Sequence, residues 1–119
     1  MEIKNVEDLK KAIDEMHDSE FAGNDFGFYS DKKIFYLNSH SREILGKEFY
    51  LEFYNVEEYI PLNLDKIKEG KAVGGVLNNI KIGNNGLDLT LISQDLKIIL
   101  RLTKLEGKLE TAKNGVGFP

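Results

Sequence analysis

Residues 47–56 alternate between apolar and polar side chains at every second position, which is the period of a β-strand with two different faces. One face carries Phe49, Leu51 and Phe53, and the other carries Tyr50, Glu52 and Tyr54. The dipeptide Phe-Tyr occurs four times, at residues 28–29, 35–36, 49–50 and 53–54. The pattern therefore predicts a sheet with a phenylalanine face and a tyrosine face.

A helical pattern precedes these strands. Apolar residues recur at steps of three and four, as on one side of an amphipathic helix: Val6, Leu9, Ala12, Ile13 and Met16. Asn5 is a suitable N-cap, and Glu7 and Asp8 fall in the first turn, where the helix dipole favours acidic side chains. We therefore predict a helix over residues 5–17.

Residues 21–56 are predicted to hold the strands that are rich in phenylalanine and tyrosine. Residues 26–29 and 34–37 flank a polar turn, which predicts a β-hairpin. A register with Phe28 opposite Phe35 keeps the two faces separate, whereas a shift by one residue would exchange them.

Residues 76–104 are predicted to be a three-stranded meander, because Asn-Gly and other turn residues separate three apolar runs. In the register that these turns favour, Asp88 lies opposite Arg101. Residues 57–70 are predicted to be a connection with room for one helical turn. Residues 106–119 are predicted to be an appended strand or a tail.

Together these elements predict a single α+β domain over residues 1–119. Its N-terminal helix packs on a curved antiparallel sheet of about six strands. A mainly-β barrel and a two-layer sandwich are the alternatives. The pattern does not fix which face of the sheet the helix covers.

Composition narrows the functional class. The chain is 41% hydrophobic and 30% charged, which is typical of a globular protein, and its formal net charge of −4 argues against nucleic acid as a partner. No apolar run approaches the ~18 residues of a membrane span, and residues 1–20 lack the apolar centre of a signal peptide. The absence of cysteine fits a reducing compartment. We expect a cytoplasmic protein with neither a nucleic acid nor a membrane partner.

Two arrangements of histidine contain residue types that occur in catalytic or metal sites. Residues 17–19 (His-Asp-Ser) contain the residue types of a catalytic triad, but triads are assembled from positions that are distant in sequence, so we predict a turn. A metal site would need His17 and His40 together with nearby acids. The hairpin register places His40 opposite Gly23, six residues from His17, and predicts no metal site.

Two further segments resemble sites in composition alone. Residues 70–75 (GKAVGG) contain the residues of a phosphate-binding loop in the wrong order, so a turn is the favoured interpretation. Glu57 and Glu58, with Glu52 nearby, would be a carboxylate pair for acid–base catalysis, but adjacent glutamates at the end of a strand are usually solvated. We predict no catalytic residue, no cofactor and no metal.

The tyrosines are the favoured functional residues. Tyrosine is enriched at protein interfaces because its ring buries area while its hydroxyl keeps a hydrogen bond. Tyr59 follows the tyrosine face closely in sequence. The alternative is that the helix or another layer covers the rings. The residues predicted to bind a partner are Tyr29, Tyr36, Tyr50, Glu52 and Tyr54.

Three short motifs carry a resemblance to a known family: MHDSEF at residues 16–21, EFYNV at residues 52–56 and GVL at residues 75–77. In this order the chain resembles small bacterial β-rich proteins that include the immunity protein 50 family of polymorphic-toxin systems. The resemblance spans about residues 16–105. It implies a cytoplasmic protein that neutralises a toxin by binding it, and it implies no catalytic residue.

The leading hypothesis is therefore a non-enzymatic protein-binding domain of the immunity type, whose tyrosine face binds a basic or mixed partner. The alternative is a small-ligand-binding domain or an enzyme with a pocket inside the curved sheet. A homodimer joined through the tyrosine face is the third hypothesis.

Overall fold

The computed structural model describes residues 1–62, 75–94 and 96–112. Within these ranges the chain forms the helix α1 (Val6–Met16), a short 3-10 turn (Asn84–Gly86) and eleven strands. The strands are β1 (Glu2–Ile3), β2 (Glu20–Phe21), β3 (Phe26–Tyr29), β4 (Ile34–His40), β5 (Glu48–Phe53), β6 (Val56–Leu62), β7 (Gly75–Val76), β8 (Asn79–Gly83), β9 (Asp88–Ile92), β10 (Lys97–Leu102) and β11 (Gly107–Ala112).

The predicted helix is present, and its first turn is built as the sequence indicates. The Asn5 side chain accepts a hydrogen bond of 2.8 Å from the backbone N–H of Asp8, which satisfies one of the free donors at the helix start. The buried side of the helix consists of Leu9, Ala12 and Met16. Within the described residues, no helix is long and apolar enough to cross a lipid bilayer.

The larger sheet has the strand order β1-β11-β5-β4-β2-β7, with β3 paired to β4 beside β2. All of its pairs are antiparallel. Phe28 lies opposite Phe35 and Tyr29 opposite Ile34, so the predicted hairpin register is confirmed. Every second residue of β4 and β5 is buried, and the buried set on β5 contains Phe49, Leu51 and Phe53.

The smaller sheet has the order β6-β10-β9-β8. Asp88 lies opposite Arg101 as predicted, and the Arg101 guanidinium lies 3.3 Å from Asp88 Oδ1 and 3.7 Å from Glu58 Oε1. The prediction that residues 57–70 form a connection is wrong at its start, because β6 runs through residue 62. Two adjacent glutamates interrupt the alternation of apolar and polar residues in β6. Among the described strands β6 has a partner on one side only, so its edge position tolerates Pro61.

The α+β class is confirmed, and both sheets are open rather than closed into a barrel. Where the prediction has one sheet of about six strands, the described strands form two. The helix and both sheets share one hydrophobic core, in which Leu9, Phe35, Phe53, Leu89 and Leu100 have no solvent exposure. Each such side chain contributes about 1.5–3 kcal/mol by its burial. The phenylalanine face therefore faces the core, and the tyrosine face points outward.

The chain passes between the sheets at one corner. β5 leads into β6 through Tyr54 and Asn55, and β10 leads into β11 through residues 103–106. The N–H of Tyr54 donates to the carbonyl of Glu106 at 2.9 Å, and the N–H of Thr103 donates to the carbonyl of Asn55 at 3.0 Å. Asn55 adopts a left-handed conformation (φ 57°), which asparagine tolerates. The corner fixes the end of β5 and with it the position of Tyr54.

Candidate functional site

The outward side of the larger sheet brings together the five residues that the sequence pattern selects. We call this surface the tyrosine face. Tyr29 is on β3, Tyr36 on β4, and Tyr50 and Glu52 on β5, with Tyr54 directly after β5. Tyr29 is 49% exposed, and the other four side chains are partly buried. The rings thus form part of the surface while their edges rest on the sheet.

Three of the tyrosine rings are stacked in a row across three strands. The ring centroids of Tyr29 and Tyr36 are 5.3 Å apart with planes 25° from parallel. Those of Tyr36 and Tyr50 are 6.4 Å apart with planes 20° from parallel. Stacked aromatic pairs contribute about 0.5–1.5 kcal/mol beyond their area burial, so the row holds its rings in defined positions.

Gly27 leaves the space that the Tyr36 ring occupies. It is the direct partner of Tyr36 on the neighbouring strand, and a Cβ at this position would lie 2.8 Å from the Tyr36 hydroxyl oxygen and 2.9 Å from its Cε1. A side chain here would therefore push the ring away. A glycine inside a strand weakens the strand, and in this place it makes room for the central ring of the row.

We expect Gly27→Val to displace the Tyr36 ring while changing the free energy of unfolding by no more than about 1 kcal/mol, the span of strand propensities. Urea denaturation measures the change in the free energy of unfolding. NOEs between the Tyr36 and Tyr50 rings report whether the Tyr36 ring has moved. Gly83→Val is the matched control, because a Cβ at Gly83 would make only ordinary contacts of 3.7 Å. Unchanged Tyr36–Tyr50 NOEs in Gly27→Val would show that Gly27 does not position the ring.

Glu52 is the polar centre of the face. It lies between Tyr36 on β4 and Lys108 on β11 in the sheet register. The Lys108 ammonium is 3.9 Å from Glu52 Oε1 and 2.9 Å from Glu110 Oε1, so two carboxylates share one cation. The Glu52 side chain is only 16% exposed. The carboxylate is therefore held in place among the rings.

Burial raises the pKa of Tyr50 above its ordinary value of 10.0, and the hydrogen bond to the Glu52 carboxylate adds to the shift. The pKa of Tyr54 is raised by burial first and by the charge of Glu52 second. The pKa of Tyr36 is also raised, by burial first. All three hydroxyls therefore keep their protons more firmly in the folded protein than in the unfolded chain.

These shifts predict that the protein loses stability in alkali. Because the folded-state pKa values lie above the unfolded value, the stabilisation is fully present below about pH 10 and is lost as the pH rises through the folded-state values. The urea midpoint should therefore fall as the pH rises above about 10. The decrease in the urea midpoint should be smaller in Tyr50→Phe, which keeps the aromatic ring but has no ionisable hydroxyl. An identical pH dependence in both proteins would contradict this assignment.

The fifth tyrosine lies elsewhere. Tyr59 stacks on Phe28 at a centroid distance of 5.2 Å and contacts Phe35 at 6.0 Å, on the phenylalanine side of the larger sheet. It belongs to β6, which the corner at Asn55 has carried into the smaller sheet. Proximity in sequence to the tyrosine face therefore does not make Tyr59 part of it.

Each histidine lies beside one acidic side chain: His17 Nδ1 is 3.2 Å from Asp18 Oδ2, and His40 Nδ1 is 3.3 Å from Glu48 Oε1. Ser19 is buried and its hydroxyl hydrogen-bonds the Ser39 hydroxyl at 2.8 Å, while His17 is exposed, so residues 17–19 form no triad. His40 lies opposite Glu20, and the predicted pairing with Gly23 is wrong because a turn at residues 22–25 takes residues out of the ladder. In the part of the chain that the structure describes, no group of three or more acidic or histidine side chains suits a metal.

The other two candidate segments add no site. Glu57 and Glu58 are exposed, and Glu58 pairs with Arg101 on the smaller sheet. Residues 70–74 of the glycine-rich segment lie outside the described residues.

A small pocket at the edge of the tyrosine face was not foreseen from the sequence. It has a volume of about 220 Å³, and its lining residues are Asn24, Asp25, Tyr29, Tyr36, Asn38 and Tyr50. The pocket depends on the turn at residues 22–25, whose conformation the alternating pattern does not describe. The one available signal was the polar pair Asn24-Asp25 directly before a tyrosine strand.

Comparison of the chain with protein-family models, with curated proteins and with solved structures finds no match. The functional argument therefore starts from the tyrosine face itself. That face offers aromatic area, hydroxyl groups and carboxylates, all of which can bind a partner.

Proposed function

We propose that this protein is a non-enzymatic protein-binding domain and that the tyrosine face binds its partner. The observation that supports the proposal is the row of stacked, outward-pointing tyrosines on a sheet whose opposite face is fully used by the core. The core lies on the other side of this sheet, so the exposed area of these rings is available to a partner.

The energetics of interfaces favour this use of the rings. Tyrosine is among the residues that contribute most to interface affinity, since a ring buries large area and a hydroxyl satisfies hydrogen bonds. Ordering a free side chain on binding costs about 0.5–1.5 kcal/mol. Tyr36 and Tyr50 are already held by stacking, so much of this cost is met in the unbound protein.

The charges around the rings favour a basic partner. Glu48, Glu52 and Glu110 all point outward from β5 and β11, and Asp25 lies at the pocket edge. Lys108 is engaged by two of these carboxylates. A negative surface accelerates association with a positive one and disfavours acidic partners.

The resemblance to the immunity protein 50 family makes a toxin the proposed kind of partner and the cytoplasm the proposed location. An inhibitor of this type acts by covering the partner's active site, so the binding domain itself needs no catalytic group. The pattern of residues from which the tyrosine face is predicted lies within the stretch that carries this resemblance.

Affinity capture from a lysate of the source organism tests the proposal. Tagged wild type should retain a stoichiometric protein, and Tyr50→Lys with Tyr54→Lys should lose it. The matched control is Ile60→Lys with Leu62→Lys, which adds the same charge at two residues of β6 that are 41% and 40% exposed. Equal capture by both double variants would contradict the proposal, and loss in the control alone would transfer the interface to the smaller sheet.

A further inference from the structure

The small pocket beside the tyrosine row has the size of a single side-chain head group. Its volume of about 220 Å³ is below the ~300–1,000 Å³ of typical small-molecule sites. Its lining includes the stacked residues Tyr29 and Tyr36, together with Asn24 and Asp25 of the turn at residues 22–25. The pocket opens on the surface that we propose binds a protein, and the inference below rests on that proposal.

The turn holds Asp25 at the wall of this pocket. The N–H of Ala22 donates to Asp25 Oδ2 at 2.8 Å, and the N–H of Asp25 donates to the carbonyl of Ala22 at 3.0 Å. On the other side, the N–H of Asn38 donates to the carbonyl of Asp25 at 2.7 Å. The backbone of Asp25 is therefore fixed from both neighbours, and its carboxylate does not need to be ordered when a ligand binds.

The pocket is electrostatically suited to a cation. Its lining residues include one carboxylate and no basic side chain, and the nearby Lys32 ammonium lies 5.9 Å from the centroid of the Tyr29 ring, which already has a cation over it. The amide oxygen of Asn38 is buried without a hydrogen-bond partner, so its partial negative charge is not neutralised. The charge of Asp25 is one of the causes that raise the pKa of Tyr36, after burial and Tyr29.

The stacked rings favour a planar cation over a spherical one. The Tyr29 and Tyr36 planes are only 25° from parallel, so the two rings offer flat faces in one orientation rather than a box of rings. A guanidinium group is planar, stacks on aromatic faces and donates two parallel hydrogen bonds to a carboxylate. An ammonium group is a compact and strongly hydrated point charge, which gains less from such a surface.

We propose that this pocket binds an arginine side chain of the protein partner, with the guanidinium stacked against the tyrosine row and its N–H groups donating to the Asp25 carboxylate. The rest of the tyrosine face then surrounds this arginine and excludes water from it. The partner is accordingly a protein with an arginine at the centre of its basic surface.

Titration of the isotope-labelled full chain with methylguanidinium, followed by backbone NMR, tests the pocket without the partner. Signals of residues 24–25, 36–38 and 50 should shift and saturate, and methylurea, a neutral analogue of the same shape, should leave them unchanged. Asp25→Asn should weaken the binding at least about fivefold, because the charge is lost. Asp31→Asn, which changes the net charge equally in an exposed turn, should not.

Several outcomes would overturn the inference. These are the absence of a saturating shift in the wild type, equal binding by Asp25→Asn, and methylammonium binding as tight as that of methylguanidinium. The wild-type titration decides the point even if Asp25→Asn does not fold. Partner capture separates this inference from the proposed function: if Asp25→Asn retains the partner while Tyr50→Lys with Tyr54→Lys loses it, the arginine pocket fails and the tyrosine face stands.

Discussion

Phe53→Ala should lower the free energy of unfolding by about 3–5 kcal/mol, the usual cost of deleting a fully buried aromatic ring. Phe53 has no solvent exposure, and it lies on β5 between Phe35 of β4 and Gly107 of β11. Its ring fills the space above Gly107, where a Cβ would lie 3.0 Å from Phe53 Cδ1. Alanine would leave a cavity that the surrounding strands cannot close without breaking their register.

Urea denaturation followed by circular dichroism measures this loss. Tyr50→Ala is the control, because it removes a ring of similar size from the opposite face of the same strand. The outward Tyr50 ring is only partly buried, so the control should lose less than half as much stability. Equal losses in the two variants would contradict the assignment of the phenylalanine face to the core and of the tyrosine face to the surface.

Tyr36→Ala should weaken binding of the purified partner by about 30-fold or more, because central aromatic residues of an interface contribute 2 kcal/mol or more. Tyr36 is the middle ring of the row and also borders the pocket of Asp25. Its removal therefore takes away a contact and releases the rings on both sides.

Isothermal titration calorimetry provides the affinities for this comparison. Tyr36→Phe keeps the ring and both stacks, so it should retain most of the affinity. Ile60→Ala removes an exposed apolar side chain from the smaller sheet and should leave the affinity unchanged. Wild-type affinity in Tyr36→Ala would mean that the stacked row is not part of the interface.

The two faces of the larger sheet could be predicted because their pattern is local. Phe28, Phe35 and the alternating residues of β5 have one register that separates apolar from polar side chains, and that register is present. The helix start at Asn5 is equally local, since its cap depends on residues within one turn. Periodicity and capping therefore account for the parts of the fold that position the tyrosine face.

The remaining features depend on contacts between distant residues. The assignment of β6 to the smaller sheet requires the corner at Asn55, where one left-handed residue redirects the chain. Tyr59 consequently lies on the phenylalanine side, although its spacing in sequence gives no sign of this. β1 has two residues and pairs with β11 at the other end of the chain, so it is too short to produce a pattern.

The candidate site likewise has features that could be predicted from the sequence and features that could not. Its five residues follow from alternation, but the order of the stacks and the pocket of Asp25 do not. The stacks run diagonally across strands and depend on the missing side chain of Gly27. The pocket depends on a turn at residues 22–25 that also shifts His40 opposite Glu20. Such features arise from the folded arrangement and not from any one segment.

Site-specific photo-crosslinking in the source cell tests the central claim most directly. Tyr29, 49% exposed at the edge of the tyrosine face, and Ile60, 41% exposed on the smaller sheet, are each replaced by p-benzoylphenylalanine. We expect position 29 to crosslink to one protein, the same protein that wild type captures, and position 60 to give no such product. A crosslink to that protein from position 60 and none from position 29 would contradict the assignment of the interface to the tyrosine face.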